Sequence, residues 1–299
     1  DKALQDMFPG ASFGMVRSLC RKGQVRLDGS RVKGGEKLKE GQTLRIPPAF
    51  YNLEAEVKGE ETLTLSKQER TTLKKAVIYK DEAVLILNKP AGIPVQAGSG
   101  HSRSLDRLMA AIYPNTPPKL THRLDRDTSG CLVMAFTSAA AKSLTAQFKY
   151  HEVQKTYWAV ACGTMYETSG VIDFKMEKGG APGKERMHIT DKGQEAETAF
   201  RRVAHRKGAN WVELKPKTGR THQIRTHLAA MGTPILGDAK YGGKDAKQGP
   251  EGPVQNLFLH ARHVAFTHPE SGQEMAFTAP IPKHFNMLFQ RMKWQEKDA

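Results

Sequence analysis

The sequence predicts an α+β protein in which a mixed, mostly antiparallel sheet is flanked by helices and preceded by a small α+β module. Three observations carry this. From Ala76 onward, short apolar strand patterns alternate with amphipathic helical ones. Residues 13–47 form a pattern of their own, helix then hairpin. At 299 residues the chain can bury a full core and hold one large domain plus something smaller.

In the small module, Met15, Val16 and Leu19 have helical spacing, Arg21-Lys22 supplies a basic last turn, and Gly23 stands where a helix stops. Val25-Arg26-Leu27 and Arg31-Val32 flank Asp28-Gly29, a tight-hairpin signal. Residues 48–75 open on polar, mixed-charge sequence, with Glu60-Glu61 and the charged run 67–70, and are expected to be a linker with some structure of its own. Residues 84–87 predict a short buried strand. Leu105, Leu108, Met109 and Ile112 follow the i, i+3, i+4, i+7 rule, and Pro114 closes that helix. Ala141, Leu144 and Phe148 repeat the pattern behind Thr137-Ser138, a good N-cap pair. Strands are expected at 155–162 and 211–215. Ile224, Leu228 and Met231 then mark a helix over 221–231, stopped by Gly232. No internal repeat or low-complexity tract is evident.

Lys and Arg number 46 against 31 Asp and Glu, a net charge of +15. No block of five like charges marks a disordered basic tail, so the excess belongs to a folded surface that attracts polyanions. Nucleic acid is the expected partner. No apolar run approaches a membrane-spanning length and no lipidation motif occurs. Cys20, Cys131 and Cys162 are odd in number and far apart, with no Cys-x-x-Cys pair, which points away from a disulfide framework or structural zinc and toward a reducing compartment. The chain opens at Asp1 without methionine, so its native N-terminus is expected to be missing. Cytoplasm is the expected location, or an organelle if a targeting segment has been removed.

The segment with most chemistry is His122-Arg123-Leu124-Asp125-Arg126-Asp127-Thr128-Ser129-Gly130, between strand-like runs at 119–121 and 131–136. If its first half is extended, Arg123 and Asp125 project to one face and His122 and Leu124 to the other. The ordinary alternative is that Asp125 and Asp127 are turn aspartates bonding their own backbone. In the 221–231 helix, His222 and Arg225 are three apart and share a face near the N-terminal end, which suits Arg225 to hold a carboxylate ionised.

Taken with three further segments in order, residues 122–130 resemble the signature of the RluA family of pseudouridine synthases. Leu85-Ile86-Leu87-Asn88-Lys89-Pro90-Ala91-Gly92 is similar to its opening strand and turn, and Lys155-Thr156-Tyr157-Trp158-Ala159 to its tyrosine strand. Thr218-Gly219-Arg220-Thr221-His222-Gln223-Ile224-Arg225-Thr226-His227 is similar to its arginine segment. Gly237-Asp238, Tyr241-Gly242, Leu259-His260-Ala261 and Thr267-His268-Pro269 continue the match. Residues 1–47, with ten Lys and Arg against five Asp and Glu, resemble an S4-like RNA-binding domain in order and spacing. The expected division is therefore 1–47 S4-like domain, 48–75 linker, 76–293 catalytic domain of the pseudouridine synthase fold, and 294–299 tail.

The resemblance implies an isomerase that flips a uridine out of RNA, detaches the base at N1 and rejoins it through C5. It assigns Asp125 as the catalytic aspartate, Arg225 as its ion-pair partner, and Tyr157 as the ring against the flipped base. Arg123 is implied to fill the gap left in the RNA stack, where a planar cation recovers part of the unstacking cost. Lys89, Arg220, His222 and Ile224 match substrate-side positions. Arg17, Arg21 and Lys22 are the expected phosphate contacts of the small domain. The reaction needs no metal, nucleotide or redox cofactor. Two routes stay open: attack of the carboxylate on C1′, or removal of a ribose proton to give a glycal.

Gln96-Ala97-Gly98-Ser99-Gly100 and Arg126-Asp127-Thr128-Ser129-Gly130 most resemble the RluC type, which implies large-subunit ribosomal RNA as substrate; a monomer is the expected state. Gln96 departs from a histidine-like position, and 48–75 is longer and more charged than the pattern. An RluD-type or transfer-RNA synthase is the alternative within the family; a non-catalytic ribosome-assembly protein is the alternative outside it. A base-flipping deaminase would need zinc ligands that the cysteine spacing denies. His122, His222 and His227 with Asp125 lack facial-triad spacing. Gly98-Ser99-Gly100 lacks a third glycine at Arg103, and Gly183-Lys184 runs into Glu185, so neither is a nucleotide loop. His122-Arg123-Leu124-Asp125 echoes a kinase loop with no Asp-Phe-Gly after it.

Overall fold

The computed structural model describes residues 2–8, 11, 13–51, 63–96, 103–181 and 185–299. Asp1, Glu60-Glu61, Ala97 to Gly100 and Gly183-Lys184, all singled out in the sequence, lie outside the described residues. The chain divides into two compact units, residues Asp1–Leu63 and Thr64–Ala299.

In the first unit, α1 (Lys2–Met7) and α2 (Phe13–Arg21) precede a three-stranded sheet of β1 (Arg26–Leu27), β2 (Ser30–Arg31) and β3 (Leu44–Arg45), ordered β2-β1-β3. The hairpin turns on Asp28 (φ 48°) and Gly29 (φ 80°), the left-handed pair that a two-residue loop between twisted strands requires. Asp28 also accepts the Thr43 N–H and a Gln42 side-chain N–H at 2.8 Å each, tying the third strand to the turn. Val16 and Cys20 of α2 bury against Leu4, Ala11, Val25 and Phe50. Arg17, Arg21 and Lys22 stay exposed.

The segment expected as a linker is partly built into the two units. Phe50 belongs to the first core. Lys67–Lys75 is a helix, α3, started by a reciprocal capping box of Ser66 and Glu69. Residues 294–299, expected as a tail, contribute Trp294 to the main core and an ion pair from Glu296 to Arg262.

The second unit follows as β4 (Val77–Lys80), β5 (Val84–Lys89), α4 (Leu105–Ile112), β6 (Lys119–Leu120), β7 (Ser129–Ala135), α5 (Ser138–Lys149), β8 (Gln154–Cys162), β9 (Ser169–Gly179), β10 (Arg186–Ile189), β11 (Gln194–Arg206), β12 (Ala209–Pro216), α6 (Gln223–Ala230), β13 (Gln248–Gly249), β14 (Gly252–Pro253), β15 (Leu259–Thr267), β16 (Glu274–Thr278) and α7 (Lys283–Met292). An 11-stranded sheet runs β10-β9-β11-β12-β8-β15-β7-β5-β4, with β16 on β15 and β6 on β7. Its pairings are antiparallel except β15 with β7, the mixed, mostly antiparallel sheet that the sequence predicts. Apolar clusters gather β8, β12 and β15 with α6 and α7, and β5, β7, β15 and β16 with α5. Thr137 caps α5 as expected, its hydroxyl accepting the Ala140 N–H at 3.0 Å. No helix among the described residues is long and apolar enough to cross a membrane.

One cross-strand row positions the site. Lys89 pairs with Gly130, Gly130 with Ala261, Ala261 with Tyr157, and Tyr157 with Leu214. At Gly130 (φ 109°) a Cβ would lie 2.2 Å from the Ala261 carbonyl oxygen, so only glycine lets β7 and β15 approach here.

Candidate active site

Asp125 sits in the loop leading into β7, and burial there alternates as the sequence predicts: Arg123 and Asp125 reach the surface while Leu124 and the His122 ring turn inward. Each residue has its own fate. The His122 ring stacks on Phe148 with centroids 4.0 Å apart, and its Nε2 accepts the Val133 N–H at 2.9 Å. Burial, reinforced by the Lys155 charge, pulls its pKa down to about 3, which keeps it a neutral acceptor. Leu124 is buried, and Arg123 is exposed. Asp125 is 20% exposed, and its backbone carbonyl accepts the Thr128 N–H in a turn.

The loop is braced from below by Lys89. Its ammonium is completely buried and donates to the carbonyls of Pro90 (2.8 Å), Ile93 (2.8 Å) and Arg126 (2.9 Å). Burial pulls its pKa down to about 7, against the attraction of Asp127 and Asp125. Lys89 is not among the residues lining the cavity above Asp125, and its side chain holds the Asp125 loop.

Arg225 comes from the first turn of α6 with its side chain only 8% exposed. Its Nε and Nη2 donate to the two oxygens of fully buried Asp238 at 2.8 Å, a bidentate fork, while Nη1 reaches Asp125 Oδ2 at 3.4 Å. Burial alone would lower the guanidinium pKa, but the Asp238 bonds and charge outweigh it and raise it. Burial likewise favours protonated Asp238, and the Arg225 bonds, with the N–H groups of Tyr241 and Lys240, hold its carboxyl below the usual range instead.

His222 is not part of the helix, which begins one residue later than it and two later than Thr221. It is the N-cap, left-handed at φ 53°, because the chain must turn sharply from the 218–221 loop into α6. Its Nδ1 lies 2.8 Å from the Tyr241 hydroxyl, whose oxygen accepts the Met187 N–H at 3.1 Å. The arrangement that uses both donors has Tyr241 donating to Nδ1, which assigns the ring proton to Nε2. That nitrogen faces Asp125 Oδ1 at 3.8 Å. Burial pulls the His222 pKa down.

Above Asp125 is a cavity of about 250 Å³. Tyr157, Ile224 and Leu259 supply apolar wall, with Arg123, Arg220, His222 and Arg225 among its polar lining. Burial, then the charge of Asp125, raises the Tyr157 hydroxyl pKa, so it stays protonated. Arg220 Nε donates to the Glu195 carbonyl at 3.0 Å, which ties its side chain to the start of β11. Gln223 pins the same loop: its Oε1 accepts from Thr218 and from the Arg220 N–H, and its Nε2 donates to the Glu197 carbonyl and the Thr198 hydroxyl.

The fold thus gathers Asp125, Tyr157, Arg225, Arg123, Arg220, His222 and Ile224 around one cavity and leaves Lys89 beneath it. Asp238, Tyr241 and Gln223 carry positioning work that sequence reasoning did not assign. Gly237-Asp238 and Tyr241-Gly242 were visible as a motif, but nothing local marks Asp238 as the buried counter-charge of Arg225. His227, three residues from Ile224, is fully buried against Phe174 and away from Asp125.

Comparisons with known proteins agree with this geometry. Residues 83–230 match the RNA pseudouridylate synthase family. The chain is 34% identical over 296 residues to a Vibrio cholerae protein named ribosomal large subunit pseudouridine synthase C, covering 98% of this chain and 92% of the relative. It is 33% identical to the Escherichia coli protein of the same name, again over 98% and 92%. Among solved structures, human RNA pseudouridylate synthase domain containing 4 shares the fold at TM-score 0.62 and 24% identity, over 75% of this chain and 95% of that one. Human RNA pseudouridylate synthase domain containing 1 matches at TM-score 0.58 and 25% identity, over 74% and 95%. Alignment with these relatives along nearly its whole length, and a fold that assembles the four motifs around one carboxylate, make this chain a member of the RluA family of RNA pseudouridine synthases, and an isomerase.

Proposed function

We propose that the chain isomerises uridines in large-subunit ribosomal RNA, with Asp125 as the catalytic carboxylate. The observation that carries this reading is the bracketing of Asp125 at the edge of a nucleoside-sized cavity: Arg225 holds one oxygen and His222 faces the other. A carboxylate is a weak nucleophile, and such partners fix its orientation toward the reacting carbon. The C1′–N1 bond breaks, the base turns in the pocket, C1′ bonds to C5, and the C5 proton is lost as N1 regains one.

Tyr157, Ile224 and Leu259 offer apolar surface to the flipped base. Arg123, exposed at the rim, suits the vacancy left in the RNA stack. Arg220 and His222 line the sugar side, and Lys89 acts as a positioning residue through the loop it braces. The first unit serves as an S4-like RNA anchor, with Arg17, Arg21 and Lys22 on its exposed basic face. The ribosomal substrate follows the names of the relatives.

The test is a chemical map of pseudouridine in large-subunit ribosomal RNA incubated with wild type and with Asp125→Asn. Discrete new sites with wild type, none with the variant, and equal RNA binding by both are expected. Conversion by Asp125→Asn at the wild-type rate would refute the assignment of Asp125, and the absence of new sites with either protein would refute the ribosomal substrate.

A further inference from the structure

Asp125, His222 and Arg225 border two cavities rather than one. Besides the pocket holding Tyr157, a second space of about 740 Å³ opens on their other side, lined also by Arg126, Arg186 and Lys240. Four cations and two carboxylates, Asp125 and Asp127, therefore face it. Pairing decides which charges remain available. Arg126 is held by Asp127 at 3.0 Å, and Arg225 by buried Asp238. Arg186 and Lys240 have no ion pair among the described residues. The two stand close enough that the Lys240 pKa, lowered first by burial, is lowered further by the charges of Arg225 and Arg186. Asp125 and Glu185 oppose that shift at Lys240, yet neither Arg186 nor Lys240 is held in an ion pair among the described residues, so both cations are available to an anion entering this space.

Arg186 is held there by construction. It opens β10, and the N–H of the next residue, Met187, donates to the Tyr241 hydroxyl that also contacts His222. The Tyr241 ring lies under Arg225 (5.2 Å) and Lys240 (5.9 Å), so one tyrosine ties the strand, both cations and the Asp125 partner into one frame.

Nucleotide geometry says which anion. A ribose carries its base on C1′ and its phosphates on the 3′ and 5′ oxygens, across the ring. With the base in the Tyr157 pocket and C1′ at Asp125, the sugar–phosphate side falls into the second cavity. We infer that Arg186 and Lys240 form a phosphate seat for a backbone linkage adjoining the flipped uridine, so that the enzyme grips the target nucleotide on both sides of the bond it breaks. This rests on the proposed reaction, and the seat fixes the ribose rather than reading sequence.

Two measurements on the full chain test it. The first is the salt dependence of binding to a uridine 12-mer, which needs no catalysis. On a single strand each neutralised phosphate contributes about 0.7 to the slope of log affinity against log salt, so emptying this one seat with Arg186→Gln and Lys240→Gln is expected to lower the slope by about 0.7. The charge-keeping exchange Arg186→Lys with Lys240→Arg is expected to retain the wild-type slope, which separates lost charge from lost folding. An unchanged slope in the glutamine variant overturns the seat, as does equal loss in the exchange variant.

The second uses a stem-loop around a uridine found in the mapping experiment, with a neutral methylphosphonate placed at its 5′ or its 3′ linkage. The affinity loss caused by the glutamine pair is expected to vanish on one of these two RNAs. Full persistence on both overturns the seat. Failure of wild type to convert any uridine refutes the proposed function instead, and the salt slope still decides the seat.

Discussion

At the residue scale, the charge of Arg225 is divided between two carboxylates of unequal standing. Asp238 takes two nitrogens at 2.8 Å and is fully buried; Asp125 takes the third at 3.4 Å and is reachable from the cavity. Asp238 therefore fixes where the guanidinium lies, and Asp125 receives a positioned but loosely held partner, free to change its contacts as the reaction proceeds. Removing Asp238 leaves a buried cation undercompensated. Asp238→Asn is expected to cost about 3–5 kcal/mol in urea unfolding and to abolish isomerisation as Arg225 swings toward Asp125. Arg225→Met with Asp238→Leu removes both charges and is expected to regain most of that stability with no recovery of activity. Equal stability of Asp238→Asn and wild type would show that the pair is not what holds the guanidinium.

At the element scale, the close approach of β7 and β15 lies just behind the Asp125 loop. Gly130 and Ala261 are in register, and the loop carrying Asp125 ends immediately before this pair. Gly130→Ala adds a methyl 2.2 Å from a backbone oxygen at a φ of 109°. The carbonyl belongs to a strand locked by β8 on its other edge, so it has little room to yield. The expected loss is about 2–5 kcal/mol from backbone strain and overpacking together. It would be measured by thermal unfolding alongside single-turnover isomerisation, with activity falling more than stability because the loop shifts with the strand. A variant as stable and active as wild type would mean that the strands part without consequence.

At the scale of the whole molecule, the basic excess serves binding while buried neutral histidines set the acid limit. Burial, the largest cause in each case, lowers His227 and His260 to about 4 and His122 to about 3, from an ordinary 6.5. Asp173 opposes it at His227 and the Ala279 carbonyl at His260. The unfolded chain therefore binds these protons first. Their contribution to stability is complete above pH 6.5 and is lost as pH falls through the folded values, at up to about 1.4 kcal/mol per unit for each histidine. His227 has no hydrogen-bond partner on either ring nitrogen among the described residues, so the Asp173 charge is left to offset protonation there. Urea midpoints are expected to fall steadily from pH 6.5 to 4, and less steeply in His227→Leu. A flat profile over that range would place the acid sensitivity elsewhere.

Sequence by itself determined whatever has a local cause. Asp28-Gly29 specified its hairpin because only left-handed residues join strands in two steps, and Thr137 specified a helix start because a hydroxyl can cap the free N–H groups beside it. The order of four motifs identified the family and named Asp125, Tyr157 and Arg225 as one site. Tertiary structure alone decided what those residues touch. Asp125 and Arg225 meet from 100 positions apart, and Asp238 becomes a buried counter-charge only once α6 and the 237–242 turn are packed together. Lys89 matches a motif position, yet whether it meets substrate or backbone depends on how the turn after β5 closes over it. His222 carries helical spacing, yet the turn into α6 forces it left-handed. The run of β9, β10 and β11, which brings Arg186 to the space beside the Asp125 loop, carries no motif in the sequence. Local preference is written in neighbouring residues, whereas burial and pairing of charge belong to contacts that exist only after the sheet has formed.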